Sequence, residues 1–296
     1  MDNDDDNDDE DELNPFLSIS CDVFSDDVPQ RKCPPRTARN WGIPTFSDQI
    51  DRDIRSYCLC DCVTVHLDYR LHSTGSDLWD SSLVMAHALP NWIPDMNGMH
   101  VLELGSGTGA VGLYCSKAFG ANVILTDLVD NLALLDRNRA ENELQHRVII
   151  APLNWTTPEL PDNVIREGQG VDFILGSDLC KYMTIERIVH SVDCSSVCSF
   201  LIDSTLSRMA VLPFAPHLLL SLAQTLKSIM SIRVDKPDLT PTKAFLVYEE
   251  RFDCSAFFTS ADSQDLEVTH IDNSLLHPKY QDPDRIHVLQ ISLRQS

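Results

Sequence analysis

Residues 99–127 read Met99-His-Val-Leu-Glu103-Leu-Gly105-Ser-Gly107-Thr-Gly109-Ala-Val-Gly-Leu113-Tyr-Cys-Ser-Lys-Ala-Phe119-Gly-Ala-Asn122-Val-Ile-Leu-Thr-Asp127, and they decide the fold. His100–Leu104 and Asn122–Thr126 are short apolar runs of the kind buried on both faces of a parallel sheet. Between them, Ala110–Phe119 has helical spacing and is closed by Gly120. Toward the C-terminus the rhythm continues with a helix over Asn131–Leu144 and strands over Val148–Leu153 and Val171–Gly176. A helix over Leu218–Ile229 and a strand over Ala244–Tyr248 come next, and Leu266–Ile271 and Ile286–Leu293 close the series as two strands joined by a long loop. Toward the N-terminus, Trp79–Leu89 reads as a helix with Asp77 as its N-cap, and Cys60–Tyr69 as one alternating strand. His72–Asp77 (HSTGSD) reads as polar punctuation between them. The expected fold class is α/β, a doubly wound, mostly parallel sheet with right-handed crossovers.

One interval breaks the rhythm. Between Asp178 and Ala244 stand 65 residues, where a crossover seldom needs much more than about 30. Some thirty residues, 180–210, are therefore surplus and read as an insertion.

The chain of 296 residues is 43% hydrophobic, enough to fill a core, but carries 45 Asp+Glu against 23 Lys+Arg for a net charge of -22. The first basic residue is Arg31, and residues 1–30 hold twelve acidic side chains, so the other 266 residues carry a net -10. Residues 1–54 are read as an acidic, largely disordered tail and lead-in, because such a composition cannot offset its ordering entropy. Residues 55–296 form the expected folded domain. The charge sign disfavours nucleic-acid binding, which needs clustered Lys and Arg. No secretory signal is visible and Met209–Ala223 is too interrupted to span a membrane, so a cytoplasmic or nuclear protein with no membrane partner is expected. Cys58, Cys60 and Cys62 fall on one face of the expected strand rather than at metal-ligand spacing. No metal site is expected, and the ten cysteines are read as reduced, mostly buried thiols.

Glycines at 105, 107 and 109, after a strand and opening a helix, let the backbone approach a ligand closely. Asp127 ends the next strand, 20 residues after Gly107, where a carboxylate can accept from both ribose hydroxyls of a nucleoside cofactor. Nicotinamide nucleotides and S-adenosylmethionine (SAM) both use such an acid. They differ in what the loop must hold. Glu103 ahead of the loop suits the zwitterionic methionine of SAM and would be odd beside a pyrophosphate.

The ordered blocks Leu78-Trp79-Asp80, Val101–Leu113, Leu125–Leu128, Leu153-Asn154-Trp155, Asp172–Asp178 and Tyr248–Arg251 resemble the seven-strand SAM-dependent methyltransferases of family 16, and within it the protein-lysine methyltransferases. The resemblance covers residues 55–295 and implies a seven-stranded, Rossmann-like class I methyltransferase sheet. It implies that Gly105, Ser106 and Gly107 line the methionine part of SAM, that Asp127 binds the ribose and that Trp155 flanks the adenine. It further implies that Trp79 walls the cofactor pocket and that Ser177 or Asp178, at the end of the fourth strand, borders the methyl-transfer site. Asp178, Tyr248 and Glu249 are the candidates for holding an incoming lysine, with Tyr182 behind them. The implied partner is a protein presenting a lysine, of chaperone, AAA ATPase or elongation-factor type, met by a monomeric enzyme.

The family's Asp-x-x-Tyr after the fourth strand is altered here to Asp178-Leu-Cys-Lys181-Tyr182, at the point where the surplus segment begins. An inserted, unspliced stretch after Leu179 is the reading this suggests. It opens the alternative of a SAM-binding interaction protein with impaired transfer.

Overall fold

The computed structural model describes residues 56–60, 62–68, 74–157, 160, 162, 168–179, 216–250 and 254–294. The N-terminal tail, Tyr182 and the surplus segment 180–210 lie outside the described residues.

A hairpin of β1 (Ser56–Leu59) and β2 (Val63–His66) leads into α1 (Asp80–Trp92), β3 (His100–Leu104), α2 (Ala110–Phe119), β4 (Asn122–Asp127), α3 (Leu132–Glu141), β5 (Val148–Pro152) and β6 (Phe173–Ser177). After them come α4 (Pro216–Ser231), β7 (Lys243–Glu249), α5 (Ser255–Ser263), β8 (Leu266–His270) and β9 (Ile286–Leu293). Seven strands form one sheet in the order β5-β4-β3-β6-β7-β9-β8. The first five are parallel; β9 runs antiparallel to both β7 and β8. The doubly wound, mostly parallel seven-stranded sheet is the one expected.

Alternation along each strand splits the core in two. Val101, Val123 and Val247 pack with α1, α2 and the hairpin, whereas Leu102, Ile124 and Leu246 pack with α4 and α5. The strands are buried on both faces, which is why they read as continuous apolar runs. The strand order reverses between the parallel neighbours β3 and β6, and the crevice at their carboxyl ends is where open α/β sheets hold ligands.

Three local readings are corrected. Cys60–Tyr69 is not one strand: Cys60 takes a left-handed conformation (φ 52°) and the Cys62 amide donates to the Leu59 carbonyl, turning the chain. The three cysteines therefore do not share a strand face, and only Cys115 and Cys254 of the five described free thiols are buried. The N-cap of α1 is Trp79, not Asp77, whose carboxylate accepts instead from the Leu78 amide at 2.9 Å. The helix also runs past Leu89 through Pro90 to Trp92, whose indole stacks on Phe245 at 5.8 Å. Helix α5 was not anticipated, since Ser255-Ala-Phe-Phe-Thr-Ser lacks a clear apolar period.

Among the described residues the hairpin has no partner strand in the main sheet and is held by a helix instead. Asn138 on α3 and Asn142 at its C-cap, one turn apart, use their side-chain amides as a strand would use its backbone. Asn138 accepts from the His66 amide at 2.8 Å and donates to the His66 carbonyl at 3.1 Å. Asn142 accepts from the Thr64 amide at 3.0 Å and donates to its carbonyl at 2.6 Å. The alternate residues of β2 are thus satisfied on their open edge.

Candidate active site

The loop after β3 is built on left-handed glycines: φ is 56° at Gly105 and 54° at Gly107. A Cβ at Gly107 would lie 3.0 Å from the Gly75 carbonyl oxygen, and one at Gly105 would lie 2.9 Å from Leu179 and 3.4 Å from Trp155. The turn Thr74–Ser76 therefore presses on the outside of the loop, and Leu179 and Trp155 close on its other side. Ser106 is an internal brace. Its amide donates to the Thr126 carbonyl at 2.9 Å, and its hydroxyl accepts from the Thr126 amide at 3.0 Å and donates to the Glu103 carbonyl at 3.1 Å.

Asp127, at the end of β4, is 8% exposed and ties the loop to the segment leading into α3. Its Oδ2 accepts from the Gly107 amide at 2.7 Å; its Oδ1 accepts from the Leu128 amide at 2.7 Å and the Asn131 side chain at 2.8 Å. Burial raises its pKa, and these bonds offset only part of that shift. Beyond it, Leu128 and Val129 are 54% and 70% exposed, apolar side chains standing at the lip of the crevice. Half-buried Trp155 lies just past the end of β5, the strand beside β4.

Glu103 is 1% exposed and its Oε2 accepts from the Gly112 amide at 2.8 Å, in the first turn of α2. It sits beneath the loop rather than in it. Burial pushes its pKa up to about 8, the Gly112 bond opposes this, and the charge of Asp127 adds to it. The folded state thus holds this proton more tightly than the unfolded chain, whose value lies near 4.5. The stability tied to it is complete below that value and drains away as pH rises through about 8. We expect the melting temperature of the ligand-free protein to fall between about pH 5 and 8 and to level off above that, and to fall less in Glu103→Gln. Parallel curves for the two proteins in scanning calorimetry would assign the titration elsewhere.

The β6 end of the crevice holds Trp79, Ser177 and Asp178. Trp79 is half-buried, and its carbonyl starts α1 by accepting from the Ser82 amide at 2.9 Å. The Ser82 and Ser177 hydroxyls are 2.9 Å apart, which pins the start of α1 to the end of β6. Asp178 is 7% exposed with φ 55°, a conformation that costs a non-glycine residue about 1–2 kcal/mol. Such strain clusters where a side chain must be aimed.

The other two acceptor-side candidates are placed differently. Tyr248 is 6% exposed, packs with the core beneath α4 and α5, and stacks on His287 at 4.8 Å. Glu249, on the opposite sheet face, is engaged by Arg285 through Nε at 2.8 Å and Nη2 at 2.7 Å. The structure thus gathers Gly105, Ser106, Gly107, Asp127, Trp155, Trp79, Ser177 and Asp178 around one crevice, with Glu103 below it. It sets Tyr248 into the core and gives Glu249 an internal cation. Gly75, Ser82 and Asn131 were missed. Only the Gly within HSTGSD hinted at a close approach, and the two others lie inside helical stretches that their neighbours explain.

Residues 63–193 match the model of the lysine methyltransferase family. The protein N-lysine methyltransferase METTL21A of Danio rerio is 34% identical over 116 residues, which are 38% of this chain and 50% of that protein. The EEF1A lysine methyltransferase 3 of Xenopus tropicalis is 29% identical over 138 residues, 45% of this chain and 58% of its own. The protein-lysine N-methyltransferase EFM6 of Saccharomyces cerevisiae is 39% identical over 93 residues, 28% of this chain and 37% of its own. The chain spans about half the length of the curated relatives it matches.

Proposed function

We propose that this chain is a SAM-dependent protein-lysine N-methyltransferase. The observation that carries the reading is the pair of buried carboxylates under and beside the glycine loop. Glu103 and Asp127 are 1% and 8% exposed, both have raised pKa values, and no Lys or Arg figures among the described groups that act on them. A ligand bearing positive charge relieves that arrangement, and one bearing a pyrophosphate aggravates it. SAM is cationic at its ammonium and its sulfonium; nicotinamide dinucleotides bring phosphates. The match to the lysine methyltransferase family supports the same choice.

The residues fit the parts of SAM. A carboxylate offers about four acceptor positions, and Asp127 has three filled, so one position on Oδ2 is open to a ribose hydroxyl. Trp155 and the exposed Leu128, at the ends of neighbouring strands, can take the two faces of the adenine. Trp79 supplies a π-face, which attracts a sulfonium by roughly 0.5–2 kcal/mol.

Bound SAM supplies an electrophilic methyl group for in-line displacement. The chain's own task is to deliver a neutral lysine amine to it. Free lysine has a pKa near ~10.4, and an aromatic, partly desolvated wall lowers it. Asp178, held in its left-handed turn beside Ser177, is the described carboxylate best placed to receive the incoming ammonium before it sheds its proton to water. Alignment, worth roughly 7–11 kcal/mol when complete, carries most of the acceleration. The relatives' names point to a protein acceptor, and the five described free thiols suit the reducing cytosol or nucleus.

The test is calorimetry with SAM and with NAD, then labelled SAM and a proteome with mass spectrometry of the modified residue. SAM binding and label on lysine are expected. Binding of NAD in its place, or label on another atom, would overturn the reading.

A further inference from the structure

We propose that Asn138 is a positioning residue of the cofactor loop, and that through it the N-terminal hairpin becomes part of the cofactor site. The inference deepens the cofactor reading given above. Asn138 is fully buried, and its Nδ2 does two things at once. It donates to the His66 carbonyl at 3.1 Å and to the carbonyl of Thr108 at 2.8 Å. Thr108 stands between Gly107 and Gly109, inside the loop, and is itself 3% exposed. With Oδ1 accepting from the His66 amide at 2.8 Å, one side chain joins the end of β2 to the middle of the glycine loop.

A second strut runs parallel to it. On the outside of the loop, the Asp68 amide donates to the Ser76 carbonyl at 3.2 Å, and Gly75 lies against Gly107. Gly75 also packs on Asn131, where an added Cβ would come within 2.2 Å of the Nδ2 that donates to Asp127. The described residues between 63 and 76 therefore wrap the outside of the loop from Thr108 round to Asp127. Left-handed glycines confer no stiffness of their own, so the loop's shape has to be imposed by these neighbours.

Asn142 provides the control. It makes the same kind of bonds to the hairpin at Thr64, reaches Lys117 and the Asn138 carbonyl, and makes none to the loop. Asn138→Asp keeps the acceptor for the His66 amide and removes both donations; Asn142→Asp removes the matching donation to the hairpin one turn away, and there Lys117, 3.0 Å from Oδ1, pairs with the new carboxylate. Asn138→Asp should melt earlier than Asn142→Asp. Only Asn138→Asp should speed hydrogen exchange of the loop amides at Gly107 and Gly109, and only it should weaken SAM binding, by roughly tenfold for one lost buried hydrogen bond. Equal effects of the two variants, or unchanged loop exchange in Asn138→Asp, would overturn the proposal. The exchange measurement needs no ligand, so a wild-type chain that failed to bind SAM would refute the cofactor reading and leave this test standing. Should Asn138→Asp not fold, native-state exchange of the wild-type chain decides. The His66 and Gly109 amides must then open with one common free energy, and separate openings would sink the coupling.

Discussion

Replacing Arg233 by Met is expected to remove about 3 kcal/mol of stability without touching the crevice. Arg233 lies at the end of the sheet opposite the site, after α4, with its side chain 4% exposed. Nη1 meets the Asp172 carboxylate at 2.6 Å and the Thr240 carbonyl at 3.3 Å, and Nε donates to the Gln169 carbonyl at 3.0 Å. Asp172 also accepts from the His100 amide at 2.8 Å, so one ion pair clamps the starts of β3 and β6 to the turn before β7. Met keeps the aliphatic packing and isolates the loss of charge. Removing one partner of a buried pair costs about 3–5 kcal/mol, and the low end applies because Asp172 is 19% exposed.

The pH dependence gives that prediction a second handle. Burial alone would raise the Asp172 pKa, but its bonds to His100 and Arg233 outweigh burial and hold it well below the ordinary 3.8. Stability from this pair is therefore present above that value and is lost as pH falls through the lower, folded one. Urea unfolding should show the gap between Arg233→Met and the parent chain at pH 7 and a narrower gap near pH 3. A gap that stays constant would mean that packing, rather than the ion pair, had been lost.

Asp127→Ala is expected to abolish SAM binding, a loss of at least about a hundredfold in affinity. The change removes the carboxylate offered to the ribose and strands three donors: the Gly107 amide, the Leu128 amide and the Asn131 side chain. Each buried donor left unsatisfied costs about 1–3 kcal/mol, part of which falls on the loop's own geometry. The variant should therefore lose affinity more than melting temperature, since some of those donors can turn to water in the emptied crevice. Unchanged affinity in calorimetry would remove Asp127 from the site.

Legibility in the sequence depended on how tightly each residue is constrained. His100–Leu104 and Asn122–Thr126 were readable because both faces of each strand are buried and nearly every side chain had to be apolar or paired. The glycine loop was readable because its positive φ angles demand glycine. Cys60, Glu143, Asp178 and Asp265 adopt the same region without glycine, and the turn at Cys60 was accordingly misread as continuing strand. Tyr248 and Glu249 show a limit that was avoidable. Neighbours on a strand face opposite ways, so they could not both look into one crevice from within β7. The amide ladder of Asn138 and Asn142 was not visible at all, because a polar residue at helical spacing reads as a solvated face until a partner segment is placed against it.

The position of β9 bears on how the chain is made. The last strand among the described residues is an inner strand of the sheet, paired to β7 on one side and β8 on the other. As the protein leaves the ribosome, β8 emerges with no neighbour to join, and the β7 flank carrying Ala244, Leu246 and Val247 stays open until Ile286–Leu293 arrives. A nascent chain halted before residue 286 thus holds a complete crevice beside an uncovered apolar flank. Such a flank is an aggregation hazard. Chaperone holding during synthesis, and rapid disposal of chains halted before residue 286, are the costs expected of closing a sheet from its interior.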